Sequence, residues 1–569
     1  MKQSHADRAA QYCRDVIAGT IPACKFVRLA CERQVADLQR KDWPYKFDAA
    51  RANRFCQFAE CLPNIKGKWG GSPLKLEAWQ CFIFCAVFGW INRKTGHRRF
   101  RTAYNELPRK QGKSTLSSPV GLYMLTEDAE EGAEVYSAAT TRDQARIVFG
   151  DAQAMARRTP EFRDHYGVQV GAHNINVLRT ASKFEALSAE GDTLDGLNIH
   201  CAIIDELHAH KTRDVWDVIE TATGSREQSL IWAITTAGSN KTGICYEQRD
   251  YVTKILERTI QDETYFGIIY SIDSEPWTDS LGVEHPADDW NSEAAWRKAN
   301  PNYGVSVLAE DIARLAHKAS QTPAAVNSFL TKRLNVWVNA DAGLFDMAAW
   351  QKCGDLALKP EDFADCPCYI GVDLGFVDDI AAVVKVFMRD GLPHVFGRYY
   401  LPDETIAESR NSQYSGWHRM GRIVGTDGNV TDEERIIDDL ADDLTKYDVQ
   451  EFAFDPYNAL KITNPLLKRG VSESRLLGFP QTVAMMSPAT EGLMKRVRAR
   501  EIRHDGCPVL TWAMSNVVGH YDAKDNVYPK KERPENKIDP AIALIMSLSR
   551  AVIGTGISVY ESRGVVVLG

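Results

Sequence analysis

The 569-residue sequence holds 13 cysteines but no C-x-x-C pair. Its closest pair, Cys366-Pro-Cys368, has a spacing that suits no standard zinc site. An odd, scattered set of thiols reads as reduced cysteine in a cytosolic protein, not as a disulfide framework. Long apolar runs are missing too. The longest, Cys81 to Ile91, falls well short of the roughly 20 residues needed to span a bilayer. The first residues, MKQSHADRAAQYCRD, are charged and lack the apolar core of a signal peptide. There is no internal repeat and no low-complexity tract. Excess positive charge is also absent. The formal net charge is -8, which excludes a chain that coats nucleic acid over its whole surface but allows a local basic groove. What is present is an ordinary globular composition, 44% hydrophobic and 25% charged. A prior of about 150 residues per domain gives two to four domains. We expect a soluble, intracellular protein with no membrane segment.

Patterning divides the chain. Residues 1–60 read as a helical segment in which no chemistry is visible. From about 75 to 240, short apolar runs alternate with amphipathic helices, the signature of βαβ units and a parallel-rich sheet. A polar stretch containing Pro, Asp and Trp (275–305) and a helical stretch to 340 form a subdomain or linker. The chain turns irregular near 340–367, where we place the boundary between a motor domain (61–345) and a second domain (366–555). Residues 556–569 form a tail. After the boundary, CYIGVDLG reads as a strand, and two further strands are joined by a turn at Asp390-Gly391. EFAFD reads as another strand and the C-terminus as helix-rich.

Chemistry gathers first at Leu107-Pro-Arg-Lys-Gln-Gly-Lys-Ser-Thr115, between a strand candidate and a helix. At such a turn Gly112 lets backbone N–H groups approach phosphate, Lys113 reaches the β- and γ-phosphates, and the Ser114 hydroxyl coordinates magnesium. The pattern departs from the standard one: Leu107 stands where the first glycine belongs, and Arg109 and Lys110 add positive charge. A lone Gly-Lys-Ser also occurs in ordinary basic turns. A second signal is the apolar strand ending Ile203-Ile-Asp-Glu206. Asp205 at a strand end would hold magnesium, largely through water, and Glu206 would polarise the attacking water. The bland alternative is an acidic pair capping the next helix. A third strand ends in Thr235-Thr236-Ala237-Gly238, small hydroxyl residues suited to sensing a γ-phosphate. Gln80, beside Trp79, can read an adenine edge. Hydrolysis of this type needs an arginine to neutralise developing charge; Arg142, Arg213 and Arg226 are available.

A second constellation follows the boundary. Asp373 lies on a strand that reads as buried, where a carboxylate is costly unless paired or metal-bound. Asp455 ends another strand, and Asp539 starts an apolar helix. Three acids from separate elements can hold two divalent ions about 3.5–4 Å apart for phosphodiester cleavage. Asp378 and Asp379 are spare acids. The bland readings are a strand terminator for Asp455-Pro456 and a helix N-terminus for Asp539-Pro540. Lys495, Arg496, Arg498, Arg500 and Arg503, and then Lys530, Lys531, Arg533 and Lys537, form basic clusters where DNA phosphates can dock, or else solvated faces.

Taken in order and spacing, several pieces resemble the large terminase subunit of tailed bacteriophages, in the branch shared by lambda-like siphophages and prophages. They are Trp79-Gln80, the Arg109 to Thr115 loop, Ala138-Ala-Thr with Gln144-Ala145, Ile203-Ile-Asp-Glu206, Thr235-Thr-Ala-Gly238, Ala299-Asn-Pro301, Asn335-Val-Trp337, Asp373, Phe454-Asp-Pro456 and Lys537-Ile-Asp-Pro540. The resemblance implies an α/β architecture: an N-terminal ASCE-type P-loop ATPase that drives DNA into a procapsid, and a C-terminal ribonuclease H-like nuclease that cuts concatemeric DNA. It implies ATP and Mg2+ (or Mn2+ at the nuclease site) as cofactors. Gln80, Arg109, Lys110, Gly112, Lys113, Ser114, Thr115, Asp205, Thr235 and Thr236 would form the nucleotide site. Glu206 would be the ATPase carboxylate, and Asp373, Asp455 and Asp539 the nuclease metal ligands. The implied partners are double-stranded DNA, a small terminase subunit and the portal, with a homo-oligomeric ring on the portal, in the cytoplasm of the infected bacterium. A helicase or repair ATPase fused to a nuclease lacks its second motor lobe here. A transposase or integrase leaves the phosphate loop unexplained.

Overall fold

Continuous apolar runs become the centre of a parallel sheet. In the computed structural model, residues 3–187, 196–210, 212–340, 343–375, 379–409, 411, 413–522 and 525–554 are described. The chain divides into two units, Met1–Gln321 with Ser328–Val338, and Thr322–Asn327 with Asn339–Gly569.

The first unit is built on eight strands: β1 (Thr102–Glu106), β2 (Glu134–Ala138), β3 (Val168–Val170), β4 (Asn174–Val177), β5 (Ser182–Ala186), β6 (Ile199–Asp205), β7 (Leu230–Thr235) and β8 (Tyr265–Ile269). Their order is β8-β1-β7-β6-β2-β5-β4-β3. Pairing is parallel from β8 through β5 and antiparallel from β5 to β3. Every residue of β6 and β7 is buried, as expected of strands covered on both faces. β7 lies between the strand that precedes the phosphate loop and the strand that ends in Asp205. That insertion is the ASCE arrangement.

The helices that matter to the site are α1 (His5–Ile17), α2 (Lys25–Gln39), α3 (Ala49–Glu60), α4 (Ala78–Gly89), α5 (Lys113–Thr126), α6 (Arg142–Arg158) and α7 (Ile244–Leu256). Ten of the 12 residues of α4 are buried. A helix apolar all round must be enclosed, and α1 and α3 pack over it. The helices between residues 5 and 60 therefore join the core of this unit. Arg33 of α2 donates to the carbonyls of Tyr265 (2.9 Å) and Asp262 (2.8 Å), and so covers β8, an edge strand that would otherwise offer unpaired backbone groups.

The second unit carries β9 (Pro367–Asp373), β10 (Ala381–Arg389), β11 (Leu392–Pro402), β12 (Val424–Thr426), β13 (Asp448–Phe454), β14 (Leu476–Gly478) and β15 (Arg503–His504). The order is β12-β11-β10-β9-β13-β14, with β15 also on β11. β9, β10 and β11 run antiparallel in succession, while β13 and β14 run parallel to β9. This is the ribonuclease H-like order. Asp390 (φ 52°) and Gly391 (φ 75°) form the two-residue turn between β10 and β11, both left-handed as a type I′ hairpin requires. Helix α8 (Glu433–Lys446) precedes β13, α9 (Val483–Ala499) follows β14, and α10 (Asp539–Gly554) packs on β9 and β10. Gly371 permits that packing, because a Cβ there would stand 2.0 Å from the Ala543 carbonyl oxygen.

The C-terminal part is helix-rich, as its sequence reads, but a hairpin interrupts the helices. β16 (Val517–Tyr521) and β17 (Val527–Lys531) form an antiparallel hairpin. Each strand is only five residues long, and the basic end of β17 mimics a helix face in the sequence. No helix among the described residues is long and apolar enough to cross a membrane.

Candidate active sites

β1 delivers the chain into the phosphate loop. Leu107, at the position of the missing glycine, is fully buried, and its N–H donates to the Thr235 carbonyl (2.9 Å). The side chain anchors the loop in the core, so the substitution is compatible with the fold. Lys110 (φ 74°) and Gly112 (φ 77°) take left-handed conformations, and Gly112 caps α5. The loop is held from outside by the 299–306 segment and α-helical Lys332. Gln111 donates to Asn300 Oδ1 (2.7 Å) and accepts from the Asn302 N–H (3.0 Å). Ser306 donates to the Lys110 carbonyl (2.8 Å), and the Arg109 N–H to the Lys332 carbonyl (2.9 Å). Buried Trp79 donates to Asn302 Oδ1 (2.9 Å). Asn300 of the Ala299-Asn-Pro301 motif, with Asn302 and Ser306 just after it, thus buttresses the phosphate loop, a role nothing local in the sequence reveals.

Lys113 is buried and sits 3.2 Å from Glu206 Oε1; it also donates to the Thr236 hydroxyl. Glu206, one step past β6, is left-handed (φ 50°). Such strain in a non-glycine residue persists only where the surroundings enforce it. His208 Nδ1 lies 3.1 Å from Glu206 Oε2 and 3.2 Å from the Thr235 hydroxyl. Burial alone would raise the Glu206 carboxyl, but the His208 hydrogen bond and the Lys113 ammonium outweigh it and hold the group at about 2. Asp205 moves the other way, to about 6, through burial and the neighbouring Glu206 charge. Its Oδ1 accepts from the Glu206 N–H (2.9 Å).

Arg109, Lys110, Gly112, Lys113, Ser114, Thr115, Asp205 and Glu206 line one cavity of about 490 Å³. Gln80 lines an adjoining one of about 630 Å³, with Gly112 and Thr115. Its Oε1 already accepts from the Glu77 N–H (2.8 Å), so half of the amide serves the cap of α4. The Ala237 N–H donates to Asn335 Oδ1 (2.6 Å). Among the arginines, Arg213 pairs with Asp217 (2.7 Å) and Glu247 (3.3 Å) on the surface. Arg226 binds Glu130 (2.7 Å) and the carbonyls of Gly132, Glu131 and Asn198. Neither lines either cavity. The Arg142 side chain lies outside the described residues.

In the second unit, register explains the acids. Val372 pairs with Phe454 across parallel β9 and β13, so Asp373 and Asp455 leave the sheet at the same end. Asp539 opens α10, which packs on β9. Burial lifts the Asp373 carboxyl well above the usual range, and the charges of Asp539, Asp455 and Asp379 lift it further. Gln481 donates to Asp373 Oδ1 (3.4 Å). Asp539 rises to about 6 through burial and Asp379, against the opposing pull of Lys531 and Lys537. Those lysines hold Asp379 at 3.6 and 2.5 Å. Asp539 Oδ2 is buried without a hydrogen-bond partner. Among the described residues no three His, Cys, Asp or Glu side chains already stand at metal-ligand spacing. The acids are neighbours that repel, not a closed cage. Asp378 and the 556–569 tail lie outside the described residues. Of the basic clusters, Lys531 and Lys537 face the acids through Asp379, while Lys495, Arg498 and Arg500 are exposed.

Two family models match the sequence. The terminase large subunit ATPase domain covers residues 78–254 and the terminase large subunit endonuclease domain covers residues 259–555. The chain belongs to the terminase large subunit family. Protein YmfN of Escherichia coli (strain K12) is 32% identical over 406 residues, covering 68% of this chain and 85% of that protein. The terminase large subunit of Enterobacteria phage HK97 is 28% identical over 507 residues, covering 88% and 94%. The crystal structure of the HK97 large terminase covers 88% of this chain and 99% of its own, at 26% identity and a TM-score of 0.43. As a terminase large subunit, the chain is an ATPase and an endonuclease of viral DNA packaging. It uses a nucleotide and a divalent metal, and works on DNA with the phage packaging machinery.

Proposed function

We propose that the two chemistries are separable and assign them residue by residue. In the motor, spanning about 61–345, ATP binds with its phosphates over Gly112, Lys113, Ser114 and Thr115, flanked by Arg109 and Lys110. Ser114 and Asp205 would hold Mg2+, Asp205 largely through water, Glu206 orients and activates the attacking water, and Gln80 faces the base. Thr235 and Thr236 connect the γ-phosphate position to the rest of the unit. The observation that supports this reading is the meeting of Lys113, Glu206, Thr236 and His208 at one end of the sheet. When phosphate replaces Glu206 as the partner of Lys113, the carboxylate is released toward water. His208, 3.1 Å from Glu206 Oε2, stays beside the carboxylate and favours its ionised form.

In the nuclease, spanning about 366–555, Asp373, Asp455 and Asp539 would hold Mg2+ or Mn2+. The fit rests on chemistry visible in the site: a buried Asp539 oxygen without a partner beside the Asp373 carboxyl, raised by burial and by its acidic neighbours, a deficit that a divalent cation removes. Bound there, metal would supply an activated water and stabilise the leaving 3′ oxygen. Gln481 orients Asp373, and Asp379 with Lys531 and Lys537 sets the charge at the rim. Double-stranded DNA docks on the basic residues 495–503 and 530–537. Translocation into the procapsid then takes place on the portal, in a homo-oligomeric ring with a small terminase subunit, inside the infected bacterium.

The test incubates the full chain with plasmid DNA and Mn2+, comparing native protein with Asp373→Ala and Glu206→Ala. Native and Glu206→Ala cut and Asp373→Ala does not, while ATP turnover is lost only in Glu206→Ala. Cleavage by Asp373→Ala at the native rate removes the three-carboxylate assignment.

A further inference from the structure

The segment between α3 and α4 belongs to neither motif of the nucleotide site, yet it folds over both cavities. It is an ordered loop: the Asn64 N–H donates to the Ser72 carbonyl (2.7 Å), Gly71 N–H to Asn64 (2.8 Å) and Leu74 N–H to Leu62 (2.9 Å). Trp69 stands at its tip, 39% exposed, with the Lys68 ammonium 4.4 Å from its ring centroid and the rest of the indole open to a ligand. Trp69 lines the cavity that also holds Gln80, Gly112 and Thr115. Lys66 lines that cavity and also the phosphate-side one, beside Lys110 and Lys113. Its ammonium is 2.7 Å from Asp151 on α6, and the pair is asymmetric, with the lysine side chain 68% exposed and the carboxylate 9%. An ammonium so solvated holds its partner weakly and exchanges it readily for a more highly charged one.

Resting on the nucleotide site proposed above, we infer that residues 63–73 form a fourth wall of that site, specific for a nucleoside triphosphate. Lys66 leaves Asp151 and supplies a second ammonium to the polyphosphate, alongside Lys113. Trp69 offers its ring to the base. The engagement of Gln80 Oε1 in the α4 cap leaves the base only the amide NH2 of that residue and not its acceptor, so a stacking face completes a pocket that the glutamine alone does not.

Calorimetric titration of the full chain, in Mg2+, with a non-hydrolysable ATP analogue and with inorganic tripolyphosphate tests this. Lys66→Ala weakens both ligands about tenfold. Trp69→Ala weakens the ATP analogue about tenfold and leaves tripolyphosphate unchanged, and Trp69→Phe restores binding, since a stacked base is worth a factor of this order. Asp151→Asn removes the tether but not the ammonium, and binds the analogue at least as tightly as native protein. If Asp151→Asn instead matches Lys66→Ala, Lys66 is a structural tether and its assignment is overturned. If Lys66→Ala and Trp69→Ala bind like native protein while Lys113→Ala does not bind, the fourth wall is wrong and the phosphate-loop reading stands. If Lys113→Ala binds like native protein, the nucleotide site itself is misplaced. Circular dichroism of each variant establishes that the loop substitutions leave the fold intact.

Discussion

Asp539→Asn should abolish cleavage and, without metal, stabilise the protein. The argument starts from charge. Asp539 rises from the ordinary 3.8 to about 6 because it is buried next to Asp379. A carboxyl whose folded value lies above its unfolded value contributes stability below about pH 4. That contribution is lost as pH rises through about 6. At pH 8 it is gone, and the shift of about two units corresponds to an upper limit of about 3 kcal/mol. Asparagine removes the charge, fits the same volume, and serves equally at a helix N-terminus. For a unit of this size, 3 kcal/mol would raise the midpoint by up to about 6–12 °C. The assay is scanning calorimetry of the full chain in EDTA at pH 8 and pH 4.5, repeated with Mn2+, following the transition that responds to metal. We expect Asp539→Asn to melt higher than native protein at pH 8 in EDTA, to lose most of that advantage at pH 4.5, and to respond little to Mn2+. Equal midpoints at pH 8, or a gain independent of pH, would refute the idea that uncompensated charge at Asp539 is held in reserve for a metal.

The remaining predictions concern the motor. Glu206→Gln lowers kcat for ATP roughly a hundredfold or more, the usual weight of a positioned base, while nucleotide affinity stays within a few-fold; phosphate release and equilibrium titration check the two halves. His208→Ala, which frees Glu206 from Thr235, lowers kcat roughly tenfold with KM unchanged; a change in KM alone would make His208 a binding residue. Arg226→Ala strands Glu130 and three carbonyls and costs about 2–3 kcal/mol, yet leaves ATP turnover per folded molecule unchanged. Collapse of kcat at native stability would instead make Arg226 the charge-neutralising arginine.

Local patterns made the sites legible; distant partners did not. Gly112-Lys113-Ser114 and Ile203-Ile-Asp-Glu206 are readable because each places its chemistry at a strand end within a few residues, and β9 to β11 are readable because Asp390-Gly391 has only one economical use. Glu106 shows the limit. It looks like an ordinary acid before a loop, yet it is fully buried. It accepts from Tyr104 (2.6 Å), Asn335 (3.2 Å) and Trp337 (3.2 Å), and pairs with Arg249 (3.4 Å). Asn335 in turn accepts from the Ala237 N–H. No window of sequence contains these residues together, so the buried carboxylate that joins the phosphate-loop strand to the Thr235–Gly238 motif is invisible before folding. The same holds for Asn300 and Asn302 behind Gln111, for α2 over the edge of β8, and for Asp379, whose partners Lys531 and Lys537 arrive from the end of β17 and from the loop before α10.

The two acid sites solve one electrostatic problem in opposite ways. In the motor, the negative charge of Glu206 is matched from within the chain by Lys113 and His208, which is why its carboxyl sits at about 2 despite burial. That site is assembled before any cation arrives, and a nucleotide has only to exchange one partner of Lys113. In the nuclease, the nearest lysines pair with Asp379, and burial raises both Asp373 and Asp539, with the charges of Asp539 and Asp455 adding to the first and that of Asp379 to the second. Below saturating metal a proton occupies this site in place of the cation, so metal affinity must fall as pH drops toward 6. On the assignments proposed above, the motor is poised by its own residues, whereas the nuclease site is completed only when a cation offsets its carboxylates.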